Sequence, residues 1–347
     1  MSEELNSLAT TVQRNCHISD AHHARNYTLC IYLLKMREYF RWEKGYAFDD
    51  PLPNSELGDW LTAREELWQE LEGADFAPIP IEGEEYQPFE AERINRRLIP
   101  LGLVYSGGIG GFARAHFFLA KLHRQERRDG CNILIAGDEF ARDLTAPPAM
   151  SLGDTIFVRR QSIRRMLWEK VEESRWNQTE SAMSRAMAFY PFDKDLEAAL
   201  DAMTEVELEA VVLHEMGETQ AGALLGTHWE RLLAATLQSR AERVLRAIRD
   251  HLADCTVTLP RLIAREQVPS LHFYFANLSG IRLEIFPALR EAYKTWCASG
   301  DLRPLQRAVE KGRGHWGALA NALTQLPAGD ETELRRAMEE RLERVSL

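Results

Sequence analysis

Apolar residues along this chain recur mostly three and four positions apart, the spacing of one helix face. Residues 21–44 read as a long helix, with Ser19 or Asp20 as its cap and Gly45 as a left-handed stop. Between Tyr27 and Met36 only Thr28 and Lys35 interrupt the apolar run, which predicts burial on every side. A second helix is expected over 55–72, then a Pro- and Gly-rich connector over 74–92. Residues 98–105 read as a strand. The runs Phe117–Leu122 and Asn132–Ala136 follow, with Asp129-Gly130 between them suited to a hairpin turn. Thr155–Val158 is a further short strand after Pro147-Pro148.

From about 160 the pattern is helical again. Helices are expected at 164–175, 195–203, 204–226, 228–252, 284–298, 302–311 and 331–345; Leu271–Leu278 is a strand or a buried loop. The fold class these elements predict is α+β, mostly α-helical, with a small antiparallel sheet embedded between helical parts. Residues 1–190 form an N-terminal helical domain holding that sheet at about 98–158, and 191–347 form a C-terminal helical domain. The division falls near Pro191.

Composition narrows the function. Of 347 residues, 45% are hydrophobic and 27% charged, which suits a globular chain. The net charge of −11 repels nucleic acid and anionic membranes, so neither is an expected partner. Five cysteines without a Cys-x-x-Cys spacing argue against a disulfide framework or a zinc ribbon. Met1 to Leu8 carries no basic region and no apolar core, and no apolar run approaches the ~18 residues of a membrane span. A soluble, cytoplasmic protein is the expectation, with a protein partner or homo-oligomer left open.

Chemistry at a defined spacing occurs at Leu213-His214-Glu215-Met216-Gly217-Glu218. His214 and Glu218 lie one helical turn apart on one face, with Glu215 beside them. A buried imidazole and carboxylate call for a partner or a cation. In one reading His214 and Glu218 are ligands of a divalent metal (Zn, Fe or Mn) and Glu215 is the catalytic acid/base of a hydrolase or an oxygen-chemistry enzyme. His22 and His23 are the candidates to complete the ligand set. In the alternative reading the protein is a non-catalytic scaffold or assembly partner, and the same side chains form a buried polar bridge. The motif resembles the His-Glu-x-x-His helix of zinc metalloproteases, in which two histidines hold the metal and the glutamate activates water. Only His214 and Glu215 match it by position; Glu218 replaces the second histidine.

The run Ser106-Gly107-Gly108-Ile109-Gly110-Gly111 after a strand resembles a flavin-binding fingerprint, with Ser106 where its first glycine belongs. It would imply a βαβ unit with a helix over 112–128 and a nucleotide or flavin ligand; a glycine turn leading into a hairpin is the alternative. Across the whole chain, His23–Glu38, Arg164–Lys170 and Leu213–Glu218 together resemble an uncharacterised bacterial family with no assigned activity. That resemblance implies no reaction and no cofactor.

Overall fold

The computed structural model describes residues 3–110, 113–177, 180–237, 239–326 and 345–347. The chain forms two compact units, Met1–Glu169 and Lys170–Leu347. Pro191, the expected point of division, lies within the second.

The first unit opens on helix α1 (Glu3–His23), which the sequence reading left unassigned. Its buried positions Leu8, Val12, Cys16 and Ile18 pack on the sheet described below and on neighbouring helices. The helix expected over 21–44 is broken. A 3-10 turn at Ala24–Asn26 separates α1 from α2 (Leu29–Lys44). Gly45 closes α2 with φ of 74°, a left-handed stop that a side chain would resist. Burial on every face of Tyr27–Met36 does not hold: Leu29, Ile31, Leu33 and Leu34 are exposed, while Met36, Tyr39 and Phe40 turn inward. Helix α3 (Asn54–Leu71) follows, then a two-stranded hairpin of β1 (Ile79–Ile81) and β2 (Glu84–Tyr86), then α4 (Ala91–Leu98).

The small antiparallel sheet is the main correction. The strands are β3 (Leu103–Ile109), β4 (Ala115–Arg128), β5 (Cys131–Arg142), β6 (Ala149–Leu152) and β7 (Thr155–Arg159). They form one five-stranded mixed sheet in the order β3-β4-β5-β7-β6. Two causes enlarge it. The charged run after Leu122 continues β4, so that Arg124–Arg128 pair with Ile135–Cys131. The apolar strand β7, buried at Ile156, Phe157 and Val158, takes the inner place beside β5. The half-exposed β6, which follows two prolines, takes the edge, where a strand can tolerate water. Because β6 and β7 form a hairpin and its second arm is the inner one, β7 runs parallel to β5. The Asp129-Gly130 turn forms with both residues at positive φ, 49° and 87°. Residues 115–128 are strand, so the helix over 112–128 that a dinucleotide unit would need is absent among the described residues.

Helix α5 (Arg160–Asn177) crosses the division between the units. The second unit is helical: α6 (Ala182–Met187), α7 (Leu196–Ala235), α8 (Arg240–Ala253), α9 (Leu259–Ala264), α10 (Val268–Asn277), α11 (Gly280–Ile285), α12 (Pro287–Ser299) and α13 (Arg303–Thr324). The expected start at Thr204 is interior to α7. Asp195 is the cap, accepting from the Ala198 amide at 3.0 Å, and the buried Thr204 hydroxyl donates to the Leu200 carbonyl instead. Gly226, at φ 63° and ψ −166°, kinks α7 in its last third. Leu271–Leu278 lies almost wholly in helix α10. The helix expected over 331–345 lies almost entirely outside the described residues. Asp254–Thr258 form a π-helical turn between α8 and α9. Among the described residues no helix is long and apolar enough to cross a membrane.

Candidate functional site

In the second unit, α7 and α8 approach closely at Gly217, where a Cβ would stand 2.8 Å from the Ala253 carbonyl oxygen. That approach places His214 beside the π-helical turn. His214 Nδ1 donates to Asp254 Oδ1 at 2.8 Å, and its Nε2 faces Glu218 Oε1 at 3.4 Å. Each carboxylate has a guanidinium as well. Arg249 donates to Glu218 Oε2 at 2.9 Å, and Arg282 donates to Asp254 Oδ2, which also accepts from Tyr274 at 2.9 Å. Burial opposes the imidazolium, but Asp254 and Glu218 outweigh it and hold the His214 pKa well above its ordinary value. Asp254 is fully buried; desolvation works against its charge, yet Arg282 and His214 hold its pKa well below the usual carboxylate range. Burial lifts neighbouring Asp250 to about 6.

The structure therefore brings His214 and Glu218 together, as the spacing predicts. Both ring nitrogens of His214 face carboxylates, and both carboxylates already pair with guanidinium groups, so these side chains neutralise one another as they stand. Glu215 is half-buried on the same helix, its carbonyl accepting from the Thr219 hydroxyl at 2.9 Å. His22 and His23 belong to the first unit. They occupy the last turn of α1, not the first turn of a helix as expected. His22 is exposed and its Nε2 donates to the Glu72 carbonyl at 2.7 Å. Burial, with Arg114, lowers the pKa of half-buried His23. Among the described residues, no group of three or more His, Cys, Asp or Glu side chains could hold a metal ion.

Of the glycine cluster, Gly107 and Gly108 lie in β3, which ends at Ile109. Gly107 lies where a Cβ would collide with the Pro88 carbonyl, and Gly110 where it would collide with the His116 ring. Gly107 thus answers the close approach of the segment at Pro88, and Gly110 the packing of His116 within the β3–β4 hairpin.

Beneath that hairpin lies a polar interior that the sequence reading missed. Asp20 and Asp143 are both fully buried. Asp20 accepts from Arg114 at 2.8 Å and from the Leu144 amide at 2.9 Å; Asp143 accepts from His116 Nδ1 at 3.1 Å and from the Ala146 amide at 2.7 Å. Burial and the charge of Asp143 lift Asp20 to about 8. Asp143 itself is held low by His116, against its burial. The end of β5 and the start of α5 add cations. Arg159 grips Glu139 with two bonds of 2.9 and 2.8 Å, both side chains fully buried. Among the described residues Arg142 has no such partner. Its guanidinium stacks over Tyr39 and Trp42, and its Nε and Nη2 are buried without an acceptor among those residues. Arg165 donates through Nη2 to the Thr145 and Ala146 carbonyls, at 3.0 and 2.9 Å. Its Nε and Nη1 are likewise buried without an acceptor among the described residues. Burial, and then Arg165, push the Arg142 pKa down to about 10.

These two arginines line a cavity of about 200 Å³ together with Glu38, Arg41, Trp42, Tyr46, Phe48, Gln161 and Arg164. The one signal in the sequence was composition. Arg142 and Arg159 sit at the ends of apolar strands, where a cation has to be paired or put to use. No motif marks them.

Two family models cover nearly the whole chain. The C-terminal domain of a family of unknown function, DUF6866, matches residues 164–345, and its N-terminal domain matches 7–159. No curated protein and no solved structure matches the chain. The two matches agree with the resemblance to an uncharacterised family read from the sequence, and neither concerns a metalloprotease. The chain thus belongs to the DUF6866 family.

Proposed function

We propose that the first unit binds a small oxyanionic ligand in the cavity between α2, the end of β5 and the start of α5. One observation carries this reading: the Nε and Nη2 of Arg142 and the Nε and Nη1 of Arg165 are buried with no hydrogen-bond acceptor among the described residues. A buried donor left unmade costs about 1–3 kcal/mol, and more on a charged group. Two guanidiniums that repel each other in a dry site are retained at that cost only where something offsets it. A planar, forked cation is the natural receptor for a phosphate or carboxylate.

The His214 network is then a structural bridge within the second unit. The metal-dependent reading draws no support from its donor set. The cysteines suit a reducing, cytoplasmic setting.

The test is thermal unfolding of the full chain in phosphate or sulfate against chloride at matched ionic strength. Saturable stabilisation of about 3 °C or more is expected for the wild type. It should vanish in both Arg142→Met and Arg165→Met. Equal shifts in wild type and variants would mean a nonspecific salt effect and would end the proposal.

A further inference from the structure

Charge, size and lining of the same cavity narrow the ligand further, on the premise that the oxyanion reading holds. The buried cations at and beside the cavity are Arg41, Arg142, Arg159 and Arg165, and the buried carboxylates there are Glu38 and Glu139, of which Glu139 is taken by Arg159. Arg41 is engaged by Glu38 at 3.3 Å and by two backbone carbonyls. Among the described residues the carboxylate paired with Arg165 is the half-exposed Glu169, at the long distance of 3.9 Å, its other partners being the neutral Thr145 and Ala146 carbonyls. Two positive charges, on Arg142 and Arg165, are thus left over. A monoanion would leave one of them buried and uncompensated.

Size sets the next limit. The cavity holds about 200 Å³, less than the ~300 Å³ at which sites for drug-sized ligands begin. A phosphate bearing a body of three or four carbons is enclosed by that volume; a nucleotide would have to leave its base outside, without contacts from the lining. The lining also changes character across the cavity. Arg142 and Arg165 mark one side, while Trp42, Tyr46, Gln161 and Glu38 offer apolar faces and groups able to bond hydroxyls.

We infer that the ligand is a small dianionic phosphate monoester with a short hydroxylated body, its phosphoryl group gripped by Arg142 and Arg165 and its body set against Trp42. The phosphoryl oxygens satisfy the four orphaned nitrogens, and the two ligand charges cancel the two left over on the protein.

Calorimetric titration of the full chain with four probes tests this: sulfate, inorganic phosphate, glycerol phosphate and adenosine monophosphate. Glycerol phosphate should bind at least tenfold more tightly than inorganic phosphate, and adenosine monophosphate at least tenfold more weakly than glycerol phosphate. The second ionisation of a phosphate monoester lies near pH 6, so glycerol phosphate should bind about tenfold more weakly at pH 5 than at pH 7.5. Sulfate keeps its charge across that range. It reports any change in the protein groups facing the site, among them Lys35, Glu38 and Arg41 on α2, Glu139 and Arg142 on β5, Arg159 on β7, and Arg164, Arg165 and Glu169 on α5. Equal affinity for phosphate and glycerol phosphate, or tight binding of the nucleotide, overturns the assignment of ligand class while leaving an oxyanion site. Failure of all four probes, sulfate included, removes the oxyanion site itself.

Discussion

His214 Nδ1 lies 2.8 Å from Asp254 Oδ1, across forty residues of chain, and the two carry opposite charges in the interior of the second unit. The contact is possible because Gly217, one turn from His214, lets the backbone of α8 come close. Asp254 then opens a π-helical turn, a feature in which one residue is inserted into the helical ladder and side chains are re-aimed. Removing the imidazole takes away the cation between Glu218 and Asp254, leaving Arg249 on the one and Arg282 and Tyr274 on the other. Breaking a buried pair in this way costs about 3–5 kcal/mol where burial is complete; His214 is partly exposed, so about 2 kcal/mol is expected for His214→Ala by urea unfolding. Metal content, by elemental analysis of untagged protein, should be the same in wild type and variant. Stoichiometric metal that disappears with the histidine would restore the cation reading.

The same bridge has a pH signature. The folded pKa of His214 is raised, so its contribution is complete below the ordinary imidazole value near 6.5 and is lost as pH rises through the higher folded value. The gap in unfolding midpoint between wild type and His214→Gln should therefore be widest below about pH 6.5 and close on the alkaline side. A gap that widens with rising pH would contradict the imidazolium assignment.

Arg142 predicts an exchange of stability for ligand binding. Its pKa falls to about 10 because the buried charge is unwelcome. A depressed basic pKa of about two units corresponds to a few kcal/mol against the charged form, from which the stacking on Tyr39 and Trp42 subtracts. In the absence of phosphate, Arg142→Met should raise stability by about 1–2 kcal/mol. A variant that is less stable than the wild type without ligand would mean that Arg142 is a packing residue.

Much of the local structure was legible. Asp129-Gly130, Gly45 and the His214–Glu218 spacing are governed by backbone and helix geometry that reach only a few residues. The sheet was not legible because strand order depends on which of two short strands buries better, and that is decided by the rest of the molecule. Phe157 wins the inner place and Met150 goes to the edge, although both stretches are apolar enough for either. The break at Ala24–Asn26 was hidden for a similar reason: no proline or glycine marks it. The arginine cavity was invisible because Arg41, Arg142 and Arg165 are scattered over more than a hundred residues and are gathered only when α2 and α5 pack at the end of β5. Conversely, a helix-face motif that looked like chemistry, at His214, closes on Asp254 and two arginines that its local sequence cannot reveal.

Gly217 should not accept a side chain. Alanine is favoured over glycine in a helix interior by about 1 kcal/mol, but the new methyl would stand 2.8 Å from the Ala253 oxygen and 3.1 Å from its carbonyl carbon. Backbone atoms cannot swing away as a flexible side chain can, so α7 and α8 must separate. Overpacking against backbone of this kind costs about 2–3 kcal/mol, the upper part of the usual range, which leaves Gly217→Ala destabilised by about 1–2 kcal/mol after the propensity gain. Gly222→Ala, whose site is open, should be neutral or stabilising. Thermal unfolding of the pair separates the two; equal effects would mean that the helices are not in contact at Gly217.

Glu207 gives the most direct test of the second unit's interior. It is fully buried in α7, accepts from the Ser270 hydroxyl at 3.0 Å, and its other oxygen has no partner among the described residues. Desolvation lifts its pKa to about 8, with the Ser270 hydrogen bond opposing the rise. The sign follows from linkage. Between the unfolded value near 4.5 and the folded value, the unfolded chain has lost a proton that the folded chain keeps, so stability falls as pH rises across that window. Glu207→Gln keeps an acceptor for Ser270 and carries no charge. The variant should match the wild type near pH 4.5 and exceed it by about 2 kcal/mol at pH 8, read from urea midpoints at the two values. If the two proteins keep the same difference at both pH values, Glu207 is ionised in the folded state and a cation must lie against it.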